Sequence, residues 1–347
     1  MTWYRVVTYP IIAALLLFMV YVGLTTGHPE GRKQIKVIVE IGQLQTGVQA
    51  YHEKYGDYFP CLAEPDVDAH KVRFLTHLAK VFPESKYGLT TADFDKLNSH
   101  VQTGFKDQET AYNFRDAAGR LRPLDLATLD AAESLVFWLG GFPTPINPQS
   151  NEPVANRRIF GLHRDADDPL RRDAKAAEAR DPLRFRTDPF YQFDETRLVD
   201  NDADGWWEYA AIYMPGSDLP APFVYFDARS YLASSAPETL GTLRYPTEQR
   251  LAEQWGYVVP YASSYTAAGH AVAWHNPQSF QIISGGLENA YDAGTSTFVR
   301  RVIVVPQSHS YLVNGPGELE SVAVEVQDNL TNLTSNTLEG WRQAAGS

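Results

Sequence analysis

Three aspartates alternate with small or polar residues in Asp200-Asn201-Asp202-Ala203-Asp204-Gly205-Trp206-Trp207-Glu208. Carboxylates at every second position, a glycine at the sixth and a further acid at the ninth follow the pattern of a calcium loop. Ca²⁺ takes six to eight hard oxygens at about 2.4 Å. A turn at Gly205 lets Asp200, Asp202 and Asp204 converge on one point, with the Trp206 carbonyl and Glu208 completing the shell. The twelfth position is Ala211, so the bidentate glutamate of a full EF-hand is missing. The same residues also fit a plain Asp/Gly turn leading into a strand over 206–213.

Other chemistry is poorly represented. His270 and His275 stand five apart, off the i, i+4 spacing of a zinc-binding helix, and no H-E-x-x-H is present. There is no G-x-S-x-G and no phosphate loop. The pairs Ser234-Ser235 and Ser263-Ser264 read as ordinary loop serines. Cys61 is the only cysteine, which excludes an intrachain disulfide. The expectation is a protein that is not an enzyme. With 30 basic against 42 acidic residues the net charge is −12, which disfavours polyanions and argues against nucleic-acid binding.

The elements that must position the acidic loop follow from patterning. Val6 to Leu24 is uncharged; as a helix it spans roughly 28 Å, about the thickness of a bilayer's hydrocarbon core. Gln34 to Tyr55 reads as an amphipathic helix, with Ile35, Ile38, Ile41 or Gly42, Gln45, Val48 and Ala50 or Tyr51 on one face. Gly56 stops it and Pro60 bars its continuation. Further helices are expected over 72–82, over 91–101 with Thr91 as its cap, and over 126–139, ended by Gly140-Gly141. The stretch 147–189 alternates charge sign without an apolar face and reads as a solvated excursion. Strand signals run from Arg197 onward: 209–214, 223–226, 279–284, 298–305 and 322–326. Helices first and strands later give an α+β fold. Its expected parts are an anchor (1–27), a stem helix (28–60) packed on an antiparallel sheet, a mixed, mainly helical insertion with a charged loop (61–195) and a β-rich domain (196–347).

The stem, from Ile41-Gly42-Gln43-Leu44 through Ala50-Tyr51-His52-Glu53-Lys54-Tyr55-Gly56-Asp57-Tyr58-Phe59-Pro60, resembles that of the major pseudopilins of type II secretion systems. The segments Asp130 to Gly141, Phe223 to Tyr231, Phe280 to Leu287 and Asp328 to Leu333 with Thr337-Leu338-Glu339 are similar to ones in the enlarged, planctomycete-type form of that family. The resemblance implies a pilin-like fold and a single-pass protein of the cytoplasmic (inner) membrane with its globular domain in the periplasm. Its partners would be sister pseudopilin subunits and secretion-system components. It also implies a calcium loop near the C-terminus, onto which Ser284, Glu288 and Asp328 map, with Glu288 in place of the usual Asp.

The chain departs from the family at its head. The family's membrane helix opens with a Gly, at which prepilin peptidase cuts, then a Phe, and a Glu four residues later. Here the span opens Tyr9-Pro10-Ile11-Ile12-Ala13-Ala14, with no such Gly and no acid. Basic residues give a second tension. Arg32, Lys33 and Lys36 outnumber Arg5, which by charge alone places the C-terminal flank in the cytoplasm. Two functions follow: a structural subunit of a secretion or pilus-like assembly, or a membrane-tethered, non-polymerising envelope binding protein with a pilin-like fold.

Overall fold

The structure, a computed structural model, describes residues 29–62, 66–103, 113–116, 118–144, 158–170, 186–211, 219–233, 243–265, 271–286, 289–291, 301–304, 311–314, 319–321 and 330–331. Among these, no helix is long and apolar enough to cross a membrane. The uncharged segment Val6 to Leu24 lies outside the described residues, as do Glu288, Asp328 and the strand expected over 322–326.

Six α-helices are described: α1 (Pro29–Tyr55), α2 (Val67–Val81), α3 (Thr91–Thr103), α4 (Glu133–Gly140), α5 (Ala228–Ala233) and α6 (Gln249–Trp255). They stand with small sheets, most of whose strand pairs are antiparallel, so the fold is α+β. In the central sheet Val224–Asp227 pairs with Phe280–Ser284, which pairs on its other side with Leu330–Thr331; both pairings are antiparallel. All residues of its first two strands are buried. A five-stranded mixed sheet is formed by Leu319–Ser321, Tyr311–Asn314, Arg301–Val304, Ala262–Tyr265 and Ala271–Trp274, in that order. One pair in it, Arg301–Val304 with Ala262–Tyr265, is parallel.

Helix α1 lies against the strands Phe280–Ser284 and Leu330–Thr331 and against α4. Its buried residues are Val37, Ile41, Leu44, Gly47, Val48 and Tyr51. The buried face is therefore rotated from the one expected: Val37 and Leu44 join it, Gln45 moves to its edge and Ala50 is exposed. Two interleaved apolar series run along this helix, and the sheet selects the one spaced 4-3-4-3. Each large apolar side chain so buried contributes roughly 2 kcal/mol. Gly47 lets Phe190 and Tyr191 cross close by, since a Cβ there would sit 3.2 Å from the Phe190 carbonyl oxygen. The helix stops at Gly56 (φ 69°), whose N–H donates to the His52 carbonyl at 2.7 Å.

Two ionic latches fix the stem. Glu40 accepts from the Tyr191 hydroxyl at 3.1 Å and from the Tyr209 hydroxyl, and pairs with Arg197. Arg197 lies 4.4 Å over the Tyr209 ring and donates to the carbonyls of Ala210 and Ala211. At the stem's end Asp57 meets Lys80 at 2.9 Å, Arg229 at 2.7 Å and His77 at 3.6 Å. Burial alone would raise the Asp57 pKa. The closeness of His77, Lys80 and the Arg229 charge outweighs it and holds the carboxyl well below the usual range.

Several local expectations change. Helix α3 is capped by Thr90, not Thr91: the Thr90 hydroxyl accepts from Asp93 N–H at 3.2 Å, while Asp93 accepts from Thr90 N–H at 3.1 Å. The helix expected over 126–139 begins only at Glu133. Asn98 takes the Leu126 N–H and Asp125 takes the Ala127 N–H, which holds that stretch in turns. The described part of 147–189 is solvated only in part: Arg164, Asp167 and Asp188 are exposed, as expected, but other residues turn inward. Leu162, His163, Asp168, Leu170 and Arg186 are buried, and Asp168 pairs with Lys86 and with the Tyr87 hydroxyl. The charges there divide between an inward pairing at Asp168 and a solvent-facing remainder such as Arg164 and Asp188.

Candidate functional site

The acidic loop closes a short hairpin. Leu198–Val199 and Glu208–Tyr209 pair antiparallel, with Leu198 opposite Tyr209 and Val199 opposite Glu208. The loop between them turns through two left-handed residues, Ala203 (φ 65°) and Gly205 (φ 97°). Gly205 is required on two counts, because a Cβ there would also meet the Phe114 ring at 2.3 Å. Local bonds shape the turn: Asp204 N–H and Gly205 N–H each donate to Asp200 at 3.1 Å, and Trp206 N–H donates to Asp204 Oδ1 at 3.0 Å. The Trp206 indole anchors the loop in the core, donating to the Asp125 carbonyl at 2.8 Å and packing on Phe137 and Phe142.

The loop meets the N-terminus of α4. Asp130 and Glu133 form a reciprocal cap: Asp130 Oδ1 accepts from Ala132 and Glu133 N–H at 2.8 and 3.1 Å, and Glu133 Oε2 accepts from Asp130 N–H at 2.9 Å. All eight residues of α4 are buried. Glu133 therefore cannot turn to water, and its second oxygen, Oε1, has no hydrogen-bond partner. One oxygen each from Glu133, Asp202 and Asp204 lies within 4.8 Å of the others.

The loop residues thus divide. Asp202 and Asp204 come together with Glu133. Asp200 spends both oxygens on backbone N–H groups of the turn. Glu208, fully buried, accepts from Asn201 on one oxygen and from the Tyr245 hydroxyl on the other. Of the second candidate group only Ser284 is described. It is buried in the central sheet, and its hydroxyl accepts from Gly286 N–H at 3.2 Å.

Comparison of the chain with family models, with curated proteins and with solved structures finds no match to any of them.

Electrostatically the site is one-sided. Among the described residues, none of Asp130, Glu133, Asp200, Asp202, Asp204 and Glu208 pairs with a Lys or Arg. Burial, and next the charge of Asp202, pushes the Asp200 carboxyl up to about 7 as burial and Asp204 do for Asp202. Asp130, Glu133 and Glu208 are raised well above the carboxylate range, first by burial and then by one another and by the loop acids. Asp204 is raised by burial too. Such a centre holds protons or a cation, since like charges at this depth cannot all ionise uncompensated.

Sequence reasoning missed Asp130 and Glu133 as members of the site. A signal was present: an Asp-x-x-Glu cap heading a segment, Leu135 to Leu139, with no polar face. Acids that cap a wholly apolar helix are themselves buried. The described His70 and His77 serve packing. His70 contacts the carbonyls of Leu62 and Leu126, and His77 shares a hydrogen bond with Tyr51 at 2.8 Å.

Proposed function

We propose that this chain is a structural subunit of a pilin-like assembly in the cell envelope, related to the pseudopilins of type II secretion. The uncharged segment Val6 to Leu24 holds it in the inner membrane, with the globular domain on the periplasmic side. The observation that carries this reading is the stem. Helix α1 follows directly on the uncharged segment, and one of its faces is bound to an antiparallel sheet and to α4. Glu40–Arg197 and the Asp57 cluster secure it to the domain. A helix held this firmly transmits force between a membrane span and a folded domain.

The opposite side of α1 remains for sister subunits: Gly42, Gln43, Thr46 and Ala50 are exposed. A single Ala50→Cys substitution tests this in native membranes with a short bis-maleimide, because Cys61 is buried and stays out of the reaction. Cross-linked dimers are expected, and nothing larger, because each chain offers one reactive thiol. A chain that stays monomeric while remaining in the membrane fraction contradicts assembly through the stem.

The head of the uncharged segment favours a second reading. With Tyr9-Pro10 where the family has its cleavage Gly and no acid after it, the chain would be a tethered envelope binding protein that does not polymerise. The mass of the mature N-terminus separates the two. A shortened, methylated terminus supports assembly, and an unprocessed Met1 or Thr2 supports the tethered form.

A further inference from the structure

We infer that Glu133, Asp202 and Asp204 form a calcium site that joins the 200–207 hairpin loop to the N-terminus of α4. The argument begins with distance. Ligand oxygens about 2.4 Å from a common Ca²⁺ stand at most twice that apart, and the three carboxylates offer oxygens within 4.8 Å of one another. It continues with unmet valence. Glu133 is 1% exposed and uses one oxygen to cap its own helix, yet its Oε1 has no donor. Asp204 Oδ1 accepts from Trp206 N–H, and the Thr128 and Glu133 side chains lie within bonding reach of its carboxyl, so the unmet acceptor is that of Glu133. An acceptor left bare at such depth has lost its water without a replacement; a bound cation supplies the missing partner at Glu133.

The donors select the ion. All three are carboxylates, with no thiolate or imidazole among them, which suits a hard cation rather than zinc. Mg²⁺ is usually held by one or two carboxylates and keeps most of its water. Three carboxylates carried by an irregular loop and a helix cap suit the looser, higher coordination of calcium. Asp202 and Asp204 are only partly buried, so the ion reaches the site from solvent and water completes its shell.

The test uses the full chain extracted from membranes in mild detergent. Tb³⁺ luminescence excited through tryptophan reports occupancy, because Trp206 and Trp207 adjoin Asp204. One saturable Tb³⁺ site per chain is expected, displaced by Ca²⁺ and far less readily by Mg²⁺. Glu133→Gln keeps an acceptor for the helix cap, and it should weaken binding by about 100-fold or more, since even outer-shell changes cost 10–100-fold. Asp202→Asn, partly buried and outside the cap, should do the same without disturbing α4. The absence of a saturable signal at millimolar Tb³⁺ overturns the site. Unchanged affinity in either variant overturns the ligand set, and equal displacement by Mg²⁺ overturns the assignment to calcium.

Discussion

Two groups of sequestered acids sit at different places on the same core, and the chain treats them in opposite ways. Around the stem, Glu40 is met by Arg197, and Asp57 by Lys80 and Arg229. Around the head of α4, six carboxylates gather and no Lys or Arg among the described residues reaches them. The consequence shows in the protons. Asp57 is held below the carboxylate range despite its burial, whereas burial and mutual repulsion raise Asp200 and Asp202 to about 7. Where the sequence supplies its own cations the charge is a fixed part of the fold. Where it supplies none, the compensation has to come from solution, and folding there becomes linked to what the solution contains.

Breaking the self-sufficient region should cost most. Arg197→Met strands the Glu40 carboxylate and gives up the bonds to Ala210 and Ala211, a loss of about 3 kcal/mol in urea unfolding. That loss should be the same in calcium and in chelator, because nothing in the stem latch exchanges with solvent. A calcium-dependent loss would blur the distinction between the two regions. Gly205→Ala comes next, at about 2–3 kcal/mol, since a Cβ there faces both a positive φ and the Phe114 ring. Unlike the arginine change, it should also impair calcium binding, because the hairpin can no longer present Asp202 and Asp204 together. Retention of full Tb³⁺ affinity in Gly205→Ala would separate the turn from the site.

The hairpin and the stem were legible in the sequence to different depths. Alternating aspartates and a glycine announced a turn that gathers acids, and two of them, Asp202 and Asp204, do converge. The third partner could not be read from that motif, because Glu133 lies far away along the chain and arrives only through the packing of α4. Spacing along a loop describes which side chains share a side of the turn; it says nothing about which neighbour fills the remaining space. Glu208 illustrates the limit. Its position in the motif suggested a ligand, yet the hairpin ladder carries it inward to Tyr245 and Asn201. The stem's period and its stop at Gly56 were legible too, but not which apolar series faces the sheet. Composition misled in part at 158–170, where Asp168 is paired inside the protein while Arg164 and Asp167 face solvent as expected.

Acid sharpens the contrast at intermediate size. The folded Asp57 pKa lies below its ordinary 3.8. The folded state therefore binds fewer protons than the unfolded state, and the contribution is complete above the unfolded pKa and lost as pH falls through the folded one. Asp57→Asn should cost about 2 kcal/mol at neutral pH, with the difference from the parent protein constant above about pH 5 and shrinking below about pH 4. A difference that grows on acidification would contradict the latch.

The smallest expected effect is also of opposite sign. In chelator, Glu133→Gln replaces a buried acid that must be held protonated against its ordinary pKa, and should stabilise the protein by on the order of 1 kcal/mol, measured by urea unfolding. In calcium the same variant should be the less stable of the two. A loss in both conditions would mean that Glu133 serves only the helix cap.

The dependence on solution is tested most directly by thermal unfolding of the full chain in saturating calcium and in excess chelator. At a calcium concentration about 100-fold above the dissociation constant, binding adds roughly 2.7 kcal/mol. The account therefore predicts a midpoint higher by about 4 °C in calcium, and no such rise in Glu133→Gln. Equal midpoints in the two solutions would contradict it, and the six acids would then be a centre neutralised by protons alone.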